Sequence, residues 1–132
     1  MIVLDSPALL AIALRELDGP VFVDALLNAG VVRLSPINFT ETGMVLWQRG
    51  YLSDVGHLKR LIARYGIEVC EDFPLGAGAF AAFLRYGKGI HPARLNLGDC
   101  FAYALAKQFD APLLYKGDDF AKTDIRSALQ PT

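Results

Sequence analysis

Four short apolar runs separated by longer helical stretches limit this chain to one broad architecture. The runs are Ile2-Val3-Leu4, Val31-Val32-Arg33-Leu34, Ile67-Glu68-Val69-Cys70 and Pro112-Leu113-Leu114-Tyr115. The first is continuous rather than alternating, which is the pattern of a strand buried on both faces. Between the runs, the apolar spacing predicts helices over residues 8–14, 18–28, 53–65, 74–86 and 97–108. A further helix opens at Ser35-Pro36, with proline suited to a first turn, and runs through Trp47. Gly30, free to take positive φ, ends the second helix, and Gly66 ends the one before the third strand. Strands that alternate with helices pair in parallel, through crossovers that place helices on both faces of one sheet. In such sheets ligands bind beyond the carboxyl ends of the strands, near the switch in strand order.

With 132 residues, the chain is expected to form a single domain over residues 1–132. Apolar residues make up 53% and charged residues 20%, which excludes a disordered chain and suggests that some surface is covered by a partner. The net charge of −1 excludes a protein that coats RNA through a global basic surface, so any phosphate-binding charge has to be local. The two cysteines, Cys70 and Cys100, cannot build a disulfide framework and have no zinc-site spacing. Cys100 sits in an apolar helical stretch and is expected in the core. The apolar N-terminus lacks a basic flank and is interrupted by Asp5, which argues against a signal peptide or a membrane span. A cytoplasmic protein without membrane association is the expectation.

Carboxylates gather where the architecture puts ligands. Asp5 directly follows the first strand, and Asp118 and Asp119 follow the fourth. Asp99 stands at the start of a helix, where its charge suits the positive end of the dipole. Glu41 lies early in the helix after the second strand. Each has an ordinary reading as a cap, a turn residue or a solvated side chain. Brought to one sheet edge, however, like charges repel and raise each other's pKa, and proteins seldom keep such a group without a cation. All-oxygen ligands favour Mg²⁺ or Mn²⁺ over zinc, and such a metal can assist phosphodiester hydrolysis.

The residues around these acids resemble a known family. Val3-Leu4-Asp5-Ser6-Pro7-Ala8-Leu9 is similar to the first motif of PIN-domain ribonucleases, and Ser35 to Glu41 is similar to their second. Leu97-Gly98-Asp99-Cys100-Phe101-Ala102-Tyr103 closely resembles the third motif of VapC toxins, the nuclease half of VapBC toxin–antitoxin pairs. Tyr115-Lys116-Gly117-Asp118-Asp119-Phe120 with Thr123-Asp124-Ile125 resembles their fourth. The resemblance implies a PIN-like three-layer α/β sandwich around a mainly parallel sheet of four or five strands. It implies an endoribonuclease that needs Mg²⁺ or Mn²⁺, acts on RNA such as tRNA or rRNA, and is held inactive by a VapB-like antitoxin. A homodimer is also expected. Asp5, Glu41 and Asp99 carry over as catalytic metal ligands. Where many PIN sequences place the fourth acid, this chain has Gly117, so Asp118 or Asp119 takes that role.

Substrate handles are expected nearby. The stretch from Arg85 to Arg94 is the one local basic concentration, with Arg85, Lys88 and Arg94 available to steer phosphates and Tyr86 to stack a base. Ser6 is a further substrate-binding candidate. Lys116 is expected to touch phosphate or to pair with an acid. The Met44, Leu46 and Trp47 cluster reads as core or interface. Two other classes fit the pattern less well. A response-regulator-like phosphoacceptor domain would want adjacent acids after the first strand, where Asp5 is followed by Ser6. A non-catalytic interaction module would use the acids only as caps.

Overall fold

A computed structural model describes residues 1–129, so residues 130–132 of the expected domain lie outside the described residues. Strands β1 (Ile2–Leu4), β2 (Val32–Leu34), β3 (Ile67–Val69) and β4 (Leu113–Leu114) form one sheet in the order β3-β2-β1-β4. Every pairing is parallel, with Ile2 opposite Val32, Val3 opposite Leu113, and Val32 opposite Ile67.

Helices cover both faces. Between β1 and β2 lie α1 (Ser6–Ala13) and α2 (Gly19–Ala29); between β2 and β3 lie α3 (Pro36–Gln48) and α4 (Val55–Ala63). Helices α5 (Gly76–Tyr86) and α6 (Leu97–Gln108) connect β3 to β4. The two-residue period of a strand then sorts the core. Ile2, Leu4 and Leu114 pack with Leu9, Phe22, Leu46 and Leu58 of α1 to α4. Val3 and Leu113 pack on the other side with Ala79, Ala82, Tyr103 and Leu105 of α5 and α6. This is the expected three-layer sandwich. Both faces of β1 are buried, which is why its sequence shows no polar alternation.

The element boundaries differ slightly from expectation for local reasons. Helix α1 begins at Ser6 because Asp5 caps it. Helix α4 begins at Val55 because Asp54 caps it through the His57 N–H, at 2.8 Å. Gly30 ends α2 with φ +77°, a left-handed conformation that other residues adopt only with strain. Cys70 and Cys100 are both buried and free, and burial pushes the Cys100 thiol up to about 11, so it packs as a small hydrophobe.

Of the Met44 cluster, Leu46 is core and Met44 and Trp47 are exposed. With Phe39, Leu52 and Val55 these two line an apolar groove of about 440 Å³ between α3 and α4. Among the described residues, no helix is long and apolar enough to cross a membrane.

The chain steps from β1 to β2 to β3 on one side and then returns to place β4 on the other side of β1. The order therefore reverses between β1 and β4. Asp5 and the Asp118-Asp119 turn follow the carboxyl ends of these two strands.

Candidate active site

Asp5 is the first residue after β1 and is 1% exposed. Its backbone N–H donates to the Leu114 carbonyl at 3.0 Å, which ties it to the end of β4. Its Oδ1 caps α1 by accepting from the Ala8 N–H at 2.7 Å. Pro7 in that first turn has no N–H to leave unsatisfied. The second oxygen, Oδ2, is buried and has no hydrogen-bond partner. Desolvation therefore dominates, pushing the Asp5 pKa up to about 8. The Ala8 N–H opposes the rise, and the charges of Asp99 and Glu41 add to it.

Glu41 comes from α3 and is half-buried. Its Oε1 accepts from the Ser6 hydroxyl at 2.8 Å. Its carboxylate lies so close to Gly98 that a Cβ there would overlap it. Glu41 thus sits between the residue after Asp5 and the residue before Asp99. Asn38, one helical turn before Glu41 and 1% exposed, donates to the Ser6 Oγ at 2.9 Å and to the Gly98 carbonyl at 3.1 Å. Its own carbonyl accepts from the Ser35 hydroxyl at 2.5 Å. Ser35 in turn caps α3 through the Asn38 N–H at 3.0 Å.

Asp99 stands in the first turn of α6 and forms a capping box with Asn96. Its Oδ2 accepts from the Asn96 N–H at 3.0 Å, and the Asn96 side chain accepts from the Asp99 N–H at 2.9 Å. Burial raises the Asp99 pKa against the effect of the Asn96 N–H, and the charges of Asp119 and Glu41 raise it further. Asp118 and Asp119 are both exposed, but Asp119 is the turn acid whose charge acts on Asp99.

The structure brings Asp5, Glu41, Asp99 and Asp119 to one edge of the sheet. Among the described residues, no three Asp, Glu, His or Cys side chains are drawn into a ready-made cation cage. The residues nonetheless fit a hard divalent cation: the donors are all oxygen, and Asp5 Oδ2 is buried without a hydrogen bond of normal geometry, the Lys116 backbone N–H only easing its charge.

The substrate handles separate. Lys88 and Arg94 are exposed and form no ion pair among the described residues. Their loop is pinched shut by the Lys88 N–H donating to the Leu95 carbonyl and the Leu95 N–H to the Tyr86 carbonyl, both at 3.0 Å. Arg85 instead lies 3.5 Å from Asp124, with its guanidinium over the Tyr86 ring. Tyr86 is 6% exposed and packs against Tyr103 and His91, so its ring is not free to stack a base. Ser6 is also buried, and its hydroxyl already serves Glu41. Lys116 pairs with Glu16 at 3.2 Å and Asp18 at 3.3 Å, away from the turn acids. Asn38 was not singled out in the sequence. The available signal was an asparagine, a poor helix former, inside a helix and three residues before Glu41.

A parallel three-layer sandwich with four acids beyond β1 and β4 defines a class, and the chain belongs to the PIN domain family, which matches residues 2–126. Its relatives include the VapC ribonuclease Mb2780c of Mycobacterium bovis and Ribonuclease VapC42 of Mycobacterium tuberculosis. Each is 39% identical over 128 residues, covering 96% of this chain and 98% of the relative. Ribonuclease VapC of Mycolicibacterium smegmatis is 38% identical over 124 residues, covering 93% and 96%.

Proposed function

We propose that this protein is a toxin-type endoribonuclease that hydrolyses RNA phosphodiester bonds with Mg²⁺ or Mn²⁺ and is restrained by a cognate VapB-like antitoxin. The observation that carries the reading is Asp5 Oδ2, a buried carboxylate oxygen without a hydrogen-bond partner, in a residue whose pKa the charges of Asp99 and Glu41 raise. A helix cap needs one oxygen, and Asp5 Oδ1 already supplies it. The second oxygen is what a pure capping role leaves unexplained. The names of the relatives and the family membership support the ribonuclease assignment.

In this reading Asp5 and Asp99 hold the cation, and Glu41 and Asp119 complete the acidic shell. Asp118 stays in solvent. The other residues would hold a divalent ion, which would supply positive charge for the phosphodiester and lower the pKa of a bound water. Ser6 fixes one oxygen of Glu41. Lys88 and Arg94, on a braced loop that leads into α6, meet the RNA backbone. The protein works in the cytoplasm as a homodimer on structured RNA such as tRNA or rRNA. The exposed groove between α3 and α4 suits an apolar antitoxin segment. A phosphoacceptor domain is disfavoured because Lys116, which it would aim at the acids, is held by Glu16 and Asp18.

The test is cleavage of a labelled panel of structured RNAs by the purified chain. Cutting should require Mn²⁺ or Mg²⁺ and stop on chelation. Intact RNA across the panel with either ion would refute the assignment. In the same assay, neutralising Lys88 and Arg94 removes contacts made equally to the ground and transition states. The RNA concentration needed for half-maximal rate should rise roughly tenfold at moderate salt, with the saturating rate kept. A rate that excess RNA fails to restore would move the loop into the catalytic machinery.

Gly98→Ala offers a sharper probe. The added methyl would occupy the space of the Glu41 carboxylate and displace it from Ser6. Cleavage should fall by about tenfold or more, since small misplacements of catalytic groups are costly. The melting temperature should barely move, because the atoms the methyl meets are the far end of the flexible Glu41 side chain. Unchanged cleavage would show that the seat of Glu41 is irrelevant.

A further inference from the structure

Resting on the metal-dependent reading above, we infer that Asn38 is a positioning residue that sets Glu41 for cation binding by directing the Ser6 hydroxyl. The argument follows from counting hydrogens. An asparagine amide has two N–H donors and one carbonyl acceptor. Here the carbonyl accepts from Ser35, one N–H goes to Ser6 Oγ and the other to the Gly98 carbonyl. The third polar contact of that nitrogen, 3.4 Å to Glu41 Oε1, is long and has no hydrogen left to fill it. Ser6 Oγ accepts from Asn38, and its single hydrogen goes to the nearer of two acceptors, Glu41 Oε1 at 2.8 Å rather than the Asn38 backbone carbonyl at 3.4 Å. The donors therefore run in one direction, from Ser35 through Asn38 and Ser6 to Glu41. Oε1 is fixed by this chain, and with it the position of the Glu41 carboxylate.

The same amide joins the helices that carry the acids. Ser6 opens α1 beside Asp5, Asn38 lies in α3 with Glu41, and Gly98 lies in α6 beside Asp99. All of the polar side chains in the chain of bonds except Glu41 are buried, so no water competes for their geometry. Asn38 itself belongs to none of the acidic positions and carries no charge. Its role is to fix where a neighbouring carboxylate points, which binding energy alone would otherwise have to do when the ion arrives.

The test is titration of the purified full chain with Mn²⁺ by calorimetry, paired with thermal melts without metal. Asn38→Ala should weaken Mn²⁺ binding about tenfold, the loss typical when a residue supporting a metal ligand is removed. Ser6→Ala, which deletes one oxygen and leaves the Asn38 contacts to Ser35 and Gly98, should weaken Mn²⁺ binding to a similar degree. It keeps the test alive if Asn38→Ala folds poorly. In a Glu41→Gln background, Asn38→Ala should cause no further loss, because the residue acts through Glu41. Wild-type affinity in both Asn38→Ala and Ser6→Ala, with only the melting temperature lowered, would make the network structural and overturn the inference alone. An unaltered chain that takes up no Mn²⁺ would overturn the metal-dependent reading, and this inference with it.

Discussion

Asp99→Asn should cleave RNA about a hundredfold or more slowly than the unaltered chain at every RNA concentration, yet remain folded. The two outcomes separate because Asp99 does two jobs. As half of the capping box with Asn96, it needs only an acceptor oxygen, which asparagine also has. As a cation ligand it needs its negative charge, which asparagine lacks. RNA affinity should hold or tighten, since a negative charge facing phosphate is gone. Single-turnover cleavage over an RNA concentration series, with a melt of the same preparation, measures both. A variant that cleaves normally would sink the nuclease assignment. One that fails to melt cooperatively would show that the charge also matters to the fold.

The second large effect is on stability, and its sign is unusual for a carboxylate. The folded chain holds the Asp5 proton up to about pH 8, whereas an ordinary aspartate loses it near 3.8. Between these values the folded state binds more protons than the unfolded state, so stability falls as pH rises. The stability lent by the protonated carboxyl is complete below the unfolded pKa and is lost through about pH 8. Each unit between the two pKa values is worth about 1.4 kcal/mol, so the metal-free chain should lose several kcal/mol over that range. The raised pKa of Asp99 acts in the same direction. Mn²⁺ should reverse the loss at pH 8 and release a proton on binding at neutral pH, visible as heat that depends on the buffer. Asp5→Asn should flatten most of the slope. Metal-free melts that rise from pH 5 to pH 8 would contradict the buried, protonated carboxyl.

Legibility in the sequence followed the range of the physics involved. The buried strand β1 announced itself because Ile2, Val3 and Leu4 have no polar neighbour to alternate with, and both faces prove to be core. Asp5 was legible because it ends that strand, and Asp99 because it opens a helix. Asn38 was not, because its partners Ser6 and Gly98 lie 32 and 60 residues away in the chain. Only the docking of α3 between α1 and α6 reveals them. The turn acids could not be told apart by spacing, since the bend after β4 determines which of them acts on Asp99. Tyr86 misled because it borders a glycine-rich loop. It is also the last residue of α5, and its side chain falls on the face that meets Tyr103.

The double use of Asp5, as cap and acid, and of Asp99, as capping-box partner and acid, has a genetic consequence. Both aspartate codons become asparagine codons by one base transition; at Asp5 asparagine caps a helix as well as aspartate does, and at Asp99 it keeps an acceptor oxygen for the capping box with Asn96. A cell under pressure from this protein therefore has a short route to a silent version that still folds. Such a copy would evade the proteolysis that removes misfolded chains and persist at normal abundance. Among escape mutants selected for survival, aspartate-to-asparagine changes at these two codons should be over-represented relative to changes in the buried core, and their products should remain detectable.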